Sequence, residues 1–256
     1  MNVNQLQRKF FINGVLLAPA LPFLYLQGQF TRWKVGKLPD AQGETSGEVV
    51  GSNEVINLLA IGESTVAGVG AKNHAEGLTG QFAKYLNIKT GKTVRWNALG
   101  VSGITIHRTI SELVPKIPDA KFDAVLIGLG GNDVFGLSSP KKWRIGLAEL
   151  LDIFRKKYPN ATIYVANVPM VREFIALKNP LRYILSRVAK MHHFNSLDLI
   201  SNYENVHYYL PRSKFLPEHF SDGIHPSAHG YEKWAEDMVE FFFEKFGEKV
   251  KGKRES

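Results

Sequence analysis

Four short clusters of glycine and polar residues recur in order along the chain, and together they hold the groups that acyl transfer to a serine requires. They supply a hydroxyl nucleophile, backbone and amide donors for an oxyanion, and a histidine with a carboxylate. The residue types therefore predict serine-based acyl transfer but say little about the substrate. The clusters are Gly62-Glu63-Ser64, Asn97-Ala98-Leu99-Gly100, Gly130-Gly131-Asn132-Asp133 and Asp222-Gly223-Ile224-His225-Pro226.

Ser64 lies three residues beyond an apolar run, where the chain must turn from a strand into a helix. Gly62 and Gly68 permit a tight turn, so the Ser64 hydroxyl and its own N–H can face the same space. A serine in such a turn is also typical of a helix cap or a phosphate-binding loop. The first cluster thus indicates a nucleophile only together with the others.

Gly100 and Asn132 each follow a predicted strand, which puts them at the same sheet edge as Ser64. Gly100 offers a backbone N–H with no side chain in the way, and Asn132 offers two side-chain N–H donors. A plain turn at Gly100 and a capping role for Asn132 are the alternatives.

Asp222 and His225 are three residues apart, and Pro226 follows at once. This spacing lets the carboxylate reach the imidazole Nδ1 and leaves Nε2 to face a serine. The proline stiffens the entry to the last helix. A surface His–Asp pair is the alternative.

The combination resembles the SGNH (GDSL-type) hydrolase family, whose four blocks contribute Ser, Gly, Asn and His in this order. The resemblance covers residues 55–246 and is most specific in the third and fourth clusters. It implies Ser64 as nucleophile, His225 as general base and then acid, and Asp222 as the residue that orients His225. The implied oxyanion hole consists of the N–H groups of Ser64 and Gly100 with the side chain of Asn132.

The first cluster departs from the family pattern, because Glu63 stands where an aspartate is usual. The charge is kept with one more methylene, so the nucleophile is retained. A degenerate, non-catalytic membrane-associated binding protein is the rival interpretation, and the retained Ser64, Asn132 and His225 argue against it. The resemblance implies no cofactor. No metal is predicted either, since His225 and His229 lack a His-Glu-x-x-His arrangement.

Apolar segments alternate with amphipathic helical stretches from residue 54 onward. This alternation predicts a three-layer α/β/α domain with a five-stranded parallel sheet, and the family implies a flavodoxin-like strand order. Ligands in such sheets bind beyond the carboxyl ends of the strands. The predicted strands cover residues 55–61, 93–98, 124–129, 162–168 and 206–209.

The chain divides by composition into four parts: an apolar N-terminal arm or membrane anchor over 1–35, a linker over 36–53, the hydrolase domain over 54–247 and a basic tail over 248–256. Residues 10–26 carry no charge, but 17 residues is the lower limit for a bilayer span, and Pro19 and Pro22 would break a straight helix. A membrane anchor or interfacial helix, an arm docked on the domain, and a cleaved signal peptide remain open.

The net charge of +8 and the basic residues near both ends favour an anionic membrane surface as a partner. No zinc-finger or RNP-like motif accompanies them, so nucleic acid is not expected as a partner. The predicted localisation is membrane-associated through the N-terminal segment, with the cytoplasm as the alternative. The absence of cysteine excludes disulfides and thiolate chemistry.

Two apolar pairs follow strand ends and predict an acyl pocket: Val134 with Phe135, and Met170 with Val171. With the apolar arm, they favour a lipid or small aliphatic ester as substrate. A carbohydrate O-acetyl esterase and an acyltransferase on the same triad are the alternatives.

Overall fold

The central strand of the sheet, β2 (Ser52–Gly62), carries the first cluster at its carboxyl end. Leu58 and Ala60 pack into the core on one face, and Leu59 and Ile61 pack into the core on the other. A strand buried on both faces must be apolar at successive positions, which is why the sequence reads as a continuous apolar run. The structure, a computed structural model, describes residues 2–252, with side chains described up to Glu244.

Six strands form one sheet in the order β1-β3-β2-β4-β5-β6. The five strands from β2 onward pair in parallel and have the flavodoxin-like order, so the predicted three-layer α/β fold is confirmed. A sixth strand, β1, which the sequence did not predict, pairs antiparallel with β3 at the edge. The remaining strands are β1 (Ser46–Val49), β3 (Lys92–Gly100), β4 (Ala124–Gly128), β5 (Thr162–Val165) and β6 (Val206–Tyr208).

Helices cover both faces of the sheet. The helices α3 (Leu78–Thr90) and α8 (Ala228–Gly252) contribute to one core, and α6 (Pro140–Lys157) and α7 (Leu181–Ile200) contribute to the other. The shorter helical segments lie at the site edge: α4 (Ile106–Arg108), which continues as a π-helical turn (Thr109–Leu113) and a 3₁₀ turn (Val114–Lys116), and α5 (Gly131–Phe135). Residues 253–256 of the predicted basic tail lie outside the described part of the chain.

The predicted linker over 36–53 is wrong, because most of this segment belongs to the domain. It contains β1 and the first residues of β2, and Ala41 donates its N–H to the carbonyl of Ala67 at 3.0 Å. Asp40 accepts a hydrogen bond from Ser102 at 2.5 Å. Glycine and polar residues are typical of linkers and of exposed edge strands alike, so composition did not separate the two. The domain begins near residue 40 rather than at 54.

The N-terminal arm is helical and lies on the domain. Its helices, α1 (Val3–Leu17) and α2 (Leu21–Val35), are joined by the 3₁₀ turn Ala18–Ala20. Pro19 and Pro22 each fall in the first turn of a helical element, where a missing N–H is tolerated. The helix α1 contacts α6 and α7, and α2 contacts α7.

Only one side of this arm faces the domain. Leu6, Leu24 and Thr31 are buried, whereas ten large apolar side chains are exposed. By length and composition alone, Val3–Val35 is apolar enough to cross a membrane, with a mean hydropathy of 1.5, a test that signal sequences also pass. The exposed side chains are Phe11, Ile12, Val15, Leu16, Leu21, Phe23, Tyr25, Leu26, Phe30 and Trp33.

Candidate active site

Ser64 lies directly after the carboxyl end of β2, between the ends of its neighbours β3 and β4. This is the point where strand order reverses, which is where open α/β sheets bind ligands. The turn needs glycine at position 62, since a Cβ there would lie 2.1 Å from the carbonyl oxygen of Gly128. The carbonyl of Ser64 accepts the N–H of Val69 at 3.0 Å, which closes the turn that carries the hydroxyl.

Asp222 and His225 form the pair that their spacing predicted. His225 Nδ1 lies 2.7 Å from Asp222 Oδ2, and Asp222 Oδ1 accepts the N–H groups of Ile224 at 2.8 Å and His225 at 2.7 Å. Burial alone would raise the pKa of Asp222, but the hydrogen bonds from His225 outweigh it and hold that pKa below its ordinary value. An ionised Asp222 therefore fixes the Nδ1–H tautomer and leaves Nε2 for a substrate or for Ser64.

The loop after Ser64 is fastened directly to the loop that carries His225. Ser221 donates its hydroxyl to the carbonyl of Gly70 at 3.2 Å, and Tyr231 donates its hydroxyl to the carbonyl of Val69 at 2.7 Å. A Cβ on Gly70 would lie 2.1 Å from the carbonyl oxygen of Pro226. These contacts bring the serine and histidine loops together, although no hydrogen bond joins Ser64 to His225 in the described part of the chain. Such contacts often form only when substrate binds.

Glu63 is buried and accepts hydrogen bonds at the start of α5. Its Oε1 accepts the N–H of Gly131 at 2.7 Å, and its Oε2 accepts the N–H of Asn132 at 2.8 Å. Oε2 also accepts a short hydrogen bond from the Asn132 side-chain amide. Burial raises the pKa of Glu63 to about 7, against the lowering effect of the Asn132 and Gly131 N–H donors. The residue that departs from the family pattern thus holds the third cluster in place.

Both side-chain N–H groups of Asn132 donate hydrogen bonds to protein acceptors. Besides Glu63, its Nδ2 donates to the carbonyl of Ile104 at 3.1 Å. The sequence predicted an amide with two available N–H groups, and the structure instead shows both directed at protein acceptors. Asn132 can stabilise an oxyanion only if one of these contacts is exchanged for the substrate oxygen.

The N–H of Gly100 points away from the site. Along β3, Val101 donates its N–H to Gly62 on β2 at 3.1 Å, whereas Ala98 donates to Thr45 on the opposite side at 2.7 Å. Because alternate N–H groups of a strand point to opposite neighbours, Gly100 shares the direction of Ala98, away from the strand that carries Ser64. The backbone hydrogen bonds of β3 therefore do not support the prediction of Gly100 as an oxyanion donor.

Glycine at position 100 has a packing role, and Gly103 is the residue that sequence reasoning missed. A Cβ on Gly100 would lie 2.2 Å from the backbone nitrogen of Ala67, in the loop after Ser64. Gly103 is exposed in the turn beyond β3, with a φ of +80° and room for a Cβ. It precedes Ile104, whose carbonyl accepts the Asn132 amide, so this turn lies beside the third cluster. The Ser102-Gly103 pair after the strand end was the available signal.

The four predicted pocket residues do not line one pocket. Val134 and Val171 are 0% and 1% exposed and belong to the hydrophobic core. Phe135 lines a cavity of about 1050 Å³ together with Asn132 and His225. Met170 lines a separate cavity of about 90 Å³. Hydrophobic residues after a strand end can turn inward or outward, and composition does not decide which.

Comparisons with known proteins identify the family and the fold. The sequence profile of the GDSL-like lipase/acylhydrolase family matches residues 60–233, more than half of the chain. Curated proteins give no significant match. Among the described residues, no cluster of three or more His, Asp or Glu side chains has a metal-binding arrangement.

Solved structures share the fold. A family two carbohydrate esterase from Clostridium thermocellum is 16% identical with a TM-score of 0.58, over 75% of this chain and 65% of that one, so this chain spans less than two thirds of that relative. A family 3 carbohydrate esterase from the same organism is 20% identical with a TM-score of 0.57, over 73% and 94% of the two chains. An acetyl xylan esterase from Geobacillus stearothermophilus is 17% identical with a TM-score of 0.54, over 75% and 95%.

Proposed function

The chain belongs to the GDSL-like lipase/acylhydrolase family, and we propose that it hydrolyses carboxylic esters through an acyl-serine intermediate. The observation that carries the proposal is the fastening of the Ser64 loop to the Asp222–His225 loop at the carboxyl end of the central strands. A solvated surface His–Asp pair would not require its loop to be fastened to the loop that follows Ser64. The pairing therefore favours an enzyme over a binding protein.

In the proposed reaction, His225 Nε2 takes the proton of Ser64 as Oγ attacks the ester carbonyl carbon. The tetrahedral intermediate collapses, the alcohol leaves with the proton from His225, and the acyl group stays on Ser64. Water then attacks the acyl-enzyme and gives a proton to His225. The acid is released, and Ser64 Oγ regains its proton. Asp222 stabilises the imidazolium at both stages.

The proposed oxyanion donors are the N–H groups of Ser64 and Gly103 and the side chain of Asn132. Glu63 holds α5 and directs the Asn132 amide to this edge of the sheet. When a substrate oxygen develops negative charge, it competes with the Ile104 carbonyl for one N–H of Asn132. A charged acceptor is favoured over a neutral carbonyl in this exchange.

We propose a lipid or aliphatic acyl ester as the substrate class, and attachment to an anionic membrane surface. The exposed apolar side of α1 and α2 supports the attachment, because seven of the ten exposed large apolar side chains lie outside the cavity of about 1050 Å³ and exceed the scattered exposure usual on soluble proteins. Basic side chains accompany it: Arg8, Lys9, Arg32, Lys34 and Lys37. Basic and apolar residues together suit the interface of an anionic bilayer.

A fluorophosphonate probe tests the nucleophile. The wild type should be labelled and should hydrolyse p-nitrophenyl esters, whereas Ser64→Ala should lose both properties. Ser111→Ala is the matched control, since its hydroxyl is exposed and bonds only to its own helical segment. Labelling that survives Ser64→Ala contradicts the assignment.

Product analysis separates hydrolysis from transfer. Free acid as the main product in the presence of an alcohol or sugar acceptor supports the esterase. A transferred acyl group as the main product supports the acyltransferase alternative. Deacetylation of a sugar ester that exceeds hydrolysis of every aliphatic ester supports the carbohydrate esterase.

A further inference from the structure

We propose that the cavity between the N-terminal helices and α7 binds the acyl chain of the substrate, so that α1 and α2 form a roof over the active site. The inference rests on the proposed ester hydrolysis and assigns the acyl group its place. The cavity has a volume of about 1050 Å³. This lies at the upper limit of ligand pockets, which measure roughly 300–1,000 Å³.

The cavity reaches two residues of the proposed active site, His225 and Asn132. Its lining also includes Ile224, which is next to His225 in the chain, and Phe135, which follows Asn132 by three residues. An ester carbonyl held between the general base and the oxyanion amide would therefore have its acyl chain at the mouth of this cavity. Of the four residues predicted to form an acyl pocket (Val134, Phe135, Met170 and Val171), Phe135 alone lines this cavity.

Two apolar surfaces face each other across the cavity. The roof includes Leu17, Leu21 and Leu24, and the floor includes Leu181, Ile184, Leu185, Val188 and Met191 of α7. A sugar would leave these aliphatic side chains without suitable partners, whereas a hydrocarbon chain would bury its methylenes against them. Each buried methylene contributes about 0.8 kcal/mol, or about a fourfold gain in binding.

Gly28 keeps the space open at the centre of α2. A Cβ there would meet only Leu181 Cδ2, at 3.8 Å, and both residues line the cavity. Glycine inside a helix is less favourable than alanine by about 1 kcal/mol, so its use at this position needs a reason. A side chain larger than alanine would extend towards α7 and occupy the volume assigned to the acyl chain.

The test is a series of p-nitrophenyl esters from acetate to dodecanoate, used below their micelle-forming concentrations. Wild-type kcat/KM should rise about fourfold per methylene over the first additions. Gly28→Phe should keep acetate hydrolysis within about twofold and lower dodecanoate hydrolysis by at least about tenfold, which is the loss of about two buried methylenes. Val15→Phe is the matched control, because it adds the same ring on the exposed side of α1 and should leave the whole series unchanged.

Ile184→Phe narrows the same space from the floor and should reproduce the effect of Gly28→Phe. It keeps the proposal testable if the roof variant does not fold. Equal losses at every chain length, or a wild type without chain-length preference, overturn the acyl site. In those cases acetate hydrolysis and Ser64 labelling persist, whereas their absence from the wild type would mean that the proposed function itself has failed.

Discussion

Two regions of the molecule are held in place by different kinds of contact. One is the catalytic edge, the carboxyl edge of the sheet with Ser64, Asn132 and His225, and the other is the roof formed by α1 and α2. At the catalytic edge, the buried carboxylates Glu63, Asp133 and Asp222 each accept at least two hydrogen bonds. The roof rests on apolar contact, and only Leu6, Leu24 and Thr31 are buried in it. Directional hydrogen bonds therefore fix the positions of the active-site residues. The roof over the proposed acyl site is held mainly by apolar contacts, which depend less on exact geometry.

Two glutamine side chains, Gln7 and Gln27, make polar contacts between the roof and the domain. Gln27 Nε2 donates to the carbonyls of Lys178 and Asn179, each at 3.1 Å. Gln27 Oε1 accepts the N–H of Leu181 at 3.3 Å, and Gln7 Oε1 accepts the N–H of Lys141 at 2.9 Å. Both glutamines bond to backbone near the start of a helix of the domain, which fixes where the roof lies without burying a charge.

The largest expected effect on activity comes from removing the nucleophile or the general base. Ser64→Ala and His225→Ala should each lower kcat by several orders of magnitude, and the double variant should cost little more, because the two residues act as one unit. Steady-state kinetics on a short ester measures all three. If the two losses multiplied in full, the shared mechanism would be wrong.

The next effect comes from the oxyanion donors. Asn132→Ala should lower kcat by about 10²–10³-fold with a small change in KM, since the amide acts on charge that develops in the transition state. A change in KM alone would mean that Asn132 only holds substrate or structure. Gly100→Ala provides a contrast, because its Cβ would collide with Ala67 and should lower stability rather than kcat alone.

The hydrogen bonds of Glu63 at the catalytic edge should contribute measurably to the free energy of unfolding. Glu63→Ala leaves the N–H groups of Gly131 and Asn132 without their acceptor, and a buried unpaired donor costs about 1–3 kcal/mol. We expect a loss in that range from urea unfolding, and Glu63→Asp should recover part of it. Glu149→Ala, the same change at an exposed glutamate of α6, is the control and should leave stability near that of the wild type.

The pKa of Glu63 gives this residue a pH dependence of known sign. Its folded pKa of about 7 lies above the ordinary value of 4.5, so the folded state binds the proton more tightly. The resulting stability is complete below pH 4.5 and is lost as pH rises through 7. Unfolding free energies of the wild type should thus fall relative to Glu63→Gln across this window. A constant difference would mean that folding does not raise the pKa of Glu63.

Removing the roof should have a smaller effect on chemistry. Deletion of residues 1–36 should leave kcat on acetate esters within about twofold, because no described residue of that segment forms a hydrogen bond with Ser64, Asn132, Asp222 or His225. Deletion of residues 1–50, by contrast, removes β1 and the contact of Ala41 with the Ser64 loop and should impair folding. Equal damage from both deletions would mean that the roof is part of the core.

The smallest effect is expected from the glutamine contact. Gln27→Ala removes three hydrogen bonds and should weaken the attachment of α2 to the domain by about 1–3 kcal/mol, without changing acetate hydrolysis. Protease cleavage between residues 36 and 40 should become faster. Gln29→Ala, two positions along the same helix, is the control and should leave the cleavage rate near that of the wild type.

The sequence predicted the parts of the molecule that local pattern determines. The apolar run over 55–61 gave the central strand, and the three-residue spacing of Asp222 and His225 gave a pair that meets at 2.7 Å. The direction of the Gly100 N–H was missed because it depends on the register of β3 against two neighbours. The contacts of Glu63 with the third cluster, and the docking of the arm on α7, join residues far apart in the chain, so no local spacing records them.

The short segment that joins α2 to the domain limits the distance between the roof and the active site. The helix α2 ends at Val35, and Ala41 already bonds to the loop that follows Ser64. Six residues of extended chain span at most about 20 Å. Ala41, and with it the loop that follows Ser64, therefore stays within about 20 Å of the end of α2. If α1 and α2 bind a membrane, the active site is held close to that membrane.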